Sequence, residues 1–185
     1  MILPIIAYGD PVLKKMAEEI KEDYPNLKEL IEDMFDTMYG AKGVGLAAPQ
    51  VNKSVRVFIV DASPFKEDDE ELDGFKKIFI NPIILEEEGQ EWIFNEGCLS
   101  IPGIREDVKR KPRIVIEYFD ENFELHEETY EGLSARIIQH EYDHLEGTLF
   151  TDRINPLKRR LLKSKLNDIA KGRIEINYKM KFPLK

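Results

Sequence analysis

Leu27, Leu30, Ile31, Met34, Phe35 and Met38 recur at helical spacing, and the pattern predicts one amphipathic helix, capped by Asn26 and ended at Gly40. A shorter stripe of Val12, Leu13, Met16 and Ile20 follows Asp10-Pro11, a helix-start pair, and predicts a helix there too. The run Val55–Val60 reads as a strand. So do Ile78–Ile80 and Ile83–Leu85, interrupted by Asn81-Pro82, and Gln90–Phe94. Arg113–Asp120 and Phe123–Tyr130 alternate apolar and polar positions around Glu121-Asn122, a hairpin pattern. Gly132–Gln139, free of proline, opens a further helix, and Asn155-Pro156 starts another that runs to about Ala170 and breaks at Gly172. Arg173–Phe182 reads as a final strand. Strands in the middle and helices towards the ends predict an α+β fold, largely antiparallel. With no repeat or low-complexity linker, residues 1–185 are expected to form a single catalytic domain.

Composition adds limits. Hydrophobic content of 42% suits a globular chain, and no apolar run approaches the roughly 20 residues of a membrane span. Met1–Ala7 lacks the basic flank and the long apolar core of a secretory signal, and Cys98, the sole cysteine, excludes an internal disulfide. A cytoplasmic location is expected. The net charge of −9 is uneven. Residues 151–185 hold 11 Lys/Arg against 3 Asp/Glu, +8, and the remainder 16 against 33, −17. A basic end on an acidic body suits an anionic partner such as nucleic acid, and equally a solvated helix face. The acidic stretch Ser63–Gly74 is expected to be an exposed loop without a role.

The chemistry-bearing stretch is Gln139-His-Glu-Tyr-Asp-His144. On a helix His140 and His144 share a face and can bind one metal ion, and Glu141 beside them can take a proton from a bound water. A catalytic metal usually has a third protein ligand. The downstream histidine of one peptidase class is replaced by Phe150, and Asp168 and Glu175 are poor matches to the glutamate of another. His126 and Cys98 remain. His126 lies among acids on a strand, which favours an exposed position, whereas Cys98 would complete a His2Cys site. Gly43–Ala48 fits Gly-x-Gly-x-x-Ala, but a helix precedes it and a strand follows, the reverse of a dinucleotide-binding unit. Gly43 and Gly45 could instead admit a ligand to the backbone, with the Gln50 amide aimed at the same place.

Three stretches together, Gly43-Val-Gly-Leu-Ala-Ala-Pro-Gln50, Glu96-Gly-Cys-Leu-Ser100 and Gln139–His144, closely resemble the signature motifs of the peptide deformylases, in the same order and spacing. The resemblance runs to about Asn155, and it implies an α+β fold in which mostly antiparallel sheets surround a central metal-binding helix. It implies a hydrolase of protein biosynthesis that removes the N-formyl group from the N-terminal formyl-methionine of new proteins and releases formate. It implies Cys98, His140 and His144 as ligands of Fe2+, with Zn2+, Ni2+ or Co2+ as substitutes. Glu141 would be the acid/base, and the Gln50 side chain and the Leu99 backbone N–H the oxyanion donors. Gly45 would contact substrate, Arg105 would border the peptide groove, and Glu96 and Arg110 would form a supporting ion pair. Val44, Leu133 and Ile137 are candidate walls of the methionine pocket, with core packing the competing role. Formylated nascent peptides are the expected partners, with neither membrane nor DNA, and the basic Lys158, Arg159, Arg160, Lys163 and Lys165 suit ribosomal RNA. The competing readings are an ordinary His-Glu-x-x-His metallopeptidase and a non-catalytic metal-binding protein.

Overall fold

The computed structural model describes residues 1–183. In chain order it contains β1 (Ile5–Ile6), α1 (Leu27–Gly40), β2 (Gly45–Ala47), β3 (Val57–Asp61), β4 (Lys76–Glu88), β5 (Trp92–Cys98), β6 (Ile101–Arg110), β7 (Arg113–Phe119), β8 (Leu125–Glu131), α2 (Gly132–Leu145), α3 (Pro156–Leu161), α4 (Lys163–Ala170) and β9 (Met180–Lys181). One antiparallel sheet has the order β2-β3-β4-β7-β8, and β5-β6 forms a separate antiparallel ribbon. β1 and β9 make a short parallel pair.

The sheet is covered on both faces, which explains the unbroken apolar run of β3. Val57 and Ile59 point to one side, where Leu30, Ile31, Met34 and Met38 of α1 pack against them. Phe58 and Val60 point to the other, where they join Phe79, Ile116, Tyr118 and the Ala135, Ile138 and Leu145 face of α2. A third apolar cluster joins the ribbon, through Ile101, Ile104 and Val108, to Ile6, Leu13, Leu149, Phe150 and the Leu166–Ile169 face of α4. The α+β expectation holds: α2 lies against the sheet on one side and, through Arg136 and His140, touches the ribbon on the other. Among the described residues no helix is long and apolar enough to cross a membrane.

Several local expectations change. The stripe after Asp10 gives only a 3-10 turn over Pro11–Lys14, capped by the Asp10 side chain. Beyond it the backbone is drawn into pairings elsewhere: Ala17 N–H donates to Leu145 O, Glu18 bridges Val55, and the Asn81 amide brackets Ile20. Met16 is left exposed. Asn26 precedes α1 in the left-handed region and makes no side-chain cap bond. β4 runs through Asn81-Pro82 with register shifts rather than stopping there. The strand expected at Gln90–Phe94 extends through Cys98, and β6 was not foreseen at all. The helix from Asn155, whose side chain does cap it, divides at Leu162 into α3 and α4. Of the expected strand Arg173–Phe182, only Met180–Lys181 is paired. Ser63–Gly74 is anchored rather than a plain loop, since Leu72 is buried.

Candidate functional site

The site is built where α2, the end of β5 and the β2 region converge on a cleft of about 980 Å³. On α2, His140 and His144 stand one turn apart with ring centroids 5.2 Å from each other. Cys98 closes β5, where the β5–β6 register breaks between Gly97 and Cys98. Its Sγ lies 3.4 Å from His144 Nε2. One ligand atom from each of Cys98, His140 and His144 falls within 4.8 Å of the others. Four-coordinate zinc-type sites have metal–sulfur bonds near 2.3 Å and metal–nitrogen bonds near 2.0–2.1 Å, so their donors sit about 3.5 Å apart. The Cys98–His144 spacing matches, and the soft thiolate with two imidazoles suits a divalent transition metal.

Glu141 is buried, and its Oε2 has no hydrogen-bond partner among the described residues although Glu141 borders this cleft. Burial raises its carboxyl to about 7, against the pull of the His140 charge. Burial also disfavours the charged form of His140, but its contacts with Cys98 and Glu96 and the Glu141 charge outweigh this and raise its pKa. His144 is lowered, first by burial and then by His140 and Arg110.

Gly45 explains itself here: a Cβ on it would stand 2.5 Å from Glu141 Oε1. A Cβ on Gly43 would meet the Leu99 side chain at 2.7 Å. Both glycines make room for the chain's own residues. Gly97 is not in a left-handed conformation; it leaves space for the Arg105 guanidinium, 2.8 Å from where a Cβ would be. Gln50, the third residue of a 3-10 turn over Ala48–Val51, is fixed at both ends of its amide. Oε1 accepts from Ala47 N–H at 3.0 Å, and Nε2 donates to Ser100 Oγ at 3.1 Å and lies 3.5 Å from Cys98 Sγ.

Behind the histidines is a buried ionic cluster. Glu96 Oε1 accepts from His140 Nδ1 at 2.9 Å and from Arg110 Nη2 at 3.0 Å, and Oε2 accepts from Arg110 Nε and Arg136 Nη1 at 2.8 Å each. Arg110 reaches on to Asp143 at 2.8 Å, and Asp143 is also gripped by Arg153. Burial opposes ionisation of Glu96, yet the His140 and Arg110 contacts hold its carboxyl far below the usual range. The bond to Nδ1 fixes the His140 ring and leaves Nε2 for the cleft.

The Glu96–Arg110 pair is therefore present, as expected. Arg136, Asp143 and Arg153 went unread. Arg136 could have been found, because it stands one turn before His140 on the same helical face. Val44, Gly45, Arg105, Leu133 and Ile137 all line the cleft. Val44, Leu133 and Ile137 belong to the first apolar core as well. Phe65 also lines the cleft, which brings the acidic stretch to the site's edge. Glu175–Tyr178 from the C-terminal segment form another part of the wall. His126 is remote from the cleft. It lies half-buried on β8, stacked on Tyr118 and 2.7 Å from Asp120 Oδ2.

An antiparallel sheet packed on a helix that presents two imidazoles and a carboxylate to a thiol-bearing strand end has the form of a metal hydrolase. The comparisons make this specific. The sequence profile of the polypeptide deformylase family matches residues 2–160. Peptide deformylases of Christiangramia forsetii and Flavobacterium johnsoniae are 64% and 56% identical, over 99% and 98% of this chain and 97% and 96% of theirs. A crystal structure of Plasmodium falciparum peptide deformylase superimposes with a TM-score of 0.81 at 40% identity, covering 91% of this chain and 95% of that one. One from Legionella pneumophila gives 0.81 at 38%, covering 94% and 98%. The chain belongs to the polypeptide deformylase family. It is a hydrolase of protein biosynthesis that removes the N-formyl group from nascent proteins, in a metal-dependent family whose donor requirement the Cys98, His140 and His144 cluster can meet.

Proposed function

We propose that Cys98, His140 and His144 hold the metal, that Glu141 is the proton carrier, and that Gln50 and the Leu99 N–H receive the oxyanion. The observation that carries this is the convergence of three ligand atoms within 4.8 Å beside a buried carboxylate oxygen that has no partner. A divalent ion held by these three residues would supply Lewis-acid polarisation and a lowered pKa for water. Fe2+ is the ion proposed, with Zn2+, Ni2+ and Co2+ as substitutes that the same donors accept.

The protein's own groups do the rest. Glu141, whose carboxyl burial keeps near neutral pH, takes the proton from the attacking water and gives it to the leaving amine. Gln50 has its carbonyl tied to Ala47, so its NH2 is held towards Ser100 and Cys98, at the edge of the cleft where the oxyanion of the formyl group would form. Val44, Leu133 and Ile137 receive the methionine side chain, Gly45 lies along the substrate, and Arg105 borders the peptide, its guanidinium fixed on Asn95 by bonds of 3.0 and 2.7 Å. The same reading takes residues 1–185 as one catalytic domain acting in the cytoplasm. Arg160, Lys163 and Lys165, for which no ion pair is recorded among the described residues, face ribosomal RNA. Lys158 and Arg159 are already drawn towards Glu106 and Asp152.

The test is formate release from formyl-Met-Ala by protein loaded with Fe2+, Ni2+ or Co2+. Glu141→Ala is expected to retain one metal per chain and lose about 100- to 10,000-fold in kcat. Unchanged turnover in that variant would remove Glu141 from the role. Cys98→Ser with undiminished metal content would remove the His2Cys site.

A further inference from the structure

The C-terminal segment lies outside the family match, which ends at residue 160, yet it reaches the centre of the cleft. β9 pairs with β1, and Ile174, Met180 and Phe182 pack on the third apolar cluster, so residues 173–182 are held against the body although most of them form no strand. This anchoring sets Tyr178 against the loop that follows Cys98. Its hydroxyl donates to the Leu99 carbonyl at 2.7 Å.

Neighbouring atoms of that loop are fixed from other directions. Ser100 O accepts from Tyr8 N–H at 2.9 Å, and Ser100 Oγ accepts from Gln50 at 3.1 Å. The Leu99 side chain packs against the second apolar cluster over Gly43. Tyr178 is thus the one hydrogen bond recorded among the described residues to the carbonyl of Leu99 itself. A carbonyl held at one end of a residue restrains the torsions that aim the N–H at the other.

We infer that Tyr178 is a positioning residue, which aims the Leu99 N–H through the Leu99 carbonyl and makes the C-terminal segment part of the catalytic apparatus. The inference rests on the oxyanion role given to Leu99. It differs from a substrate-contact role, because the hydroxyl proton is spent on the protein backbone.

The experiment compares the metal-loaded parent with Tyr178→Phe, which removes the hydroxyl alone. Formate release from formyl-Met-Ala is followed over substrate concentration, with metal content and Tm measured on the same samples. The zinc-loaded proteins, labelled with 15N-leucine, are then compared by NMR. Expected are a kcat about tenfold lower, the scale of one neutral hydrogen bond, KM within about twofold, metal content unchanged, a Tm lower by no more than a few degrees, and a shifted or broadened Leu99 amide resonance. The NMR arm reads positioning whether or not Leu99 is an oxyanion donor. A shifted resonance with unaltered kcat would overturn the catalytic consequence and the oxyanion role of Leu99 with it. An unmoved resonance would overturn the positioning. A rise in KM alone, or loss of metal, would assign Tyr178 to substrate contact or to metal retention and overturn the inference.

Discussion

The molecule contains two histidine–carboxylate pairs of almost the same length. His140 Nδ1 lies 2.9 Å from Glu96, and His126 Nε2 lies 2.7 Å from Asp120. Each histidine also belongs to a trio of groups, Cys98-His140-His144 and Asp120-Glu124-His126, whose ligand atoms fall within 4.8 Å. Proximity does not separate them; surroundings do. Side-chain exposure is 11% and 4% in the first pair and 36% and 19% in the second. Glu96 is held by two arginines as well as by His140, whereas Asp120 spends its other oxygen on the Asn122 and Glu124 N–H groups. One pair orients a ring towards a cleft. The other closes a hairpin turn in solvent, where an ion pair contributes little.

That contrast can be tested from its strongest element downwards. Arg110→Met leaves Glu96 and Asp143 short of a buried counter-charge, and is expected to cost about 3–5 kcal/mol, or roughly 10 °C in Tm by calorimetry. Glu96→Gln keeps the shape but weakens the grip on His140, so metal affinity measured by competition with a chelator is expected to fall about 10- to 100-fold. A smaller loss than that from Asp120→Asn would reverse the ranking of the two pairs. Asp120→Asn itself is expected to cost about 0.5–1 kcal/mol and to leave metal affinity unchanged.

The last effect carries a pH signature. Burial opposes ionisation of Asp120, but the bonds with His126 and with the Glu124 and Asn122 N–H groups prevail and lower its carboxyl below the ordinary value. A depressed folded pKa gives stability that is present above the unfolded value, about 3.9, and is lost as pH falls through the folded one. The Tm difference between parent and Asp120→Asn is therefore expected to be present at about pH 5 and to shrink below about 4. A difference that grew on acidification would contradict the sign.

The legibility of the chain follows the range of the interactions involved. α1 was readable because six apolar residues at helical spacing face one sheet surface. The stripe after Asp10 carries a similar local signal and fails as a helix, because its backbone is claimed by Leu145, Ser54 and Asn81, residues far along the chain. β6 was missed because its alternation is broken by Pro102 and Gly103 and becomes a strand only by pairing with β5. Likewise the Gly43–Gln50 stretch announced a close approach, but only the fold shows that Glu141 and Leu99 are what approach.

By itself the sequence determined the local terms: which residues could make a helix bearing two imidazoles and a carboxylate, and which three stretches carry deformylase-like motifs. Those terms depend on spacings of a few residues. Tertiary structure decided the rest, because it depends on contacts between distant parts of the chain. It alone joined Arg136, Asp143 and Arg153 to Glu96 and Arg110 behind His140. It alone turned the acidic stretch's Phe65 into a wall of the cleft and carried Tyr178 back, across 79 positions of sequence, to the carbonyl of Leu99.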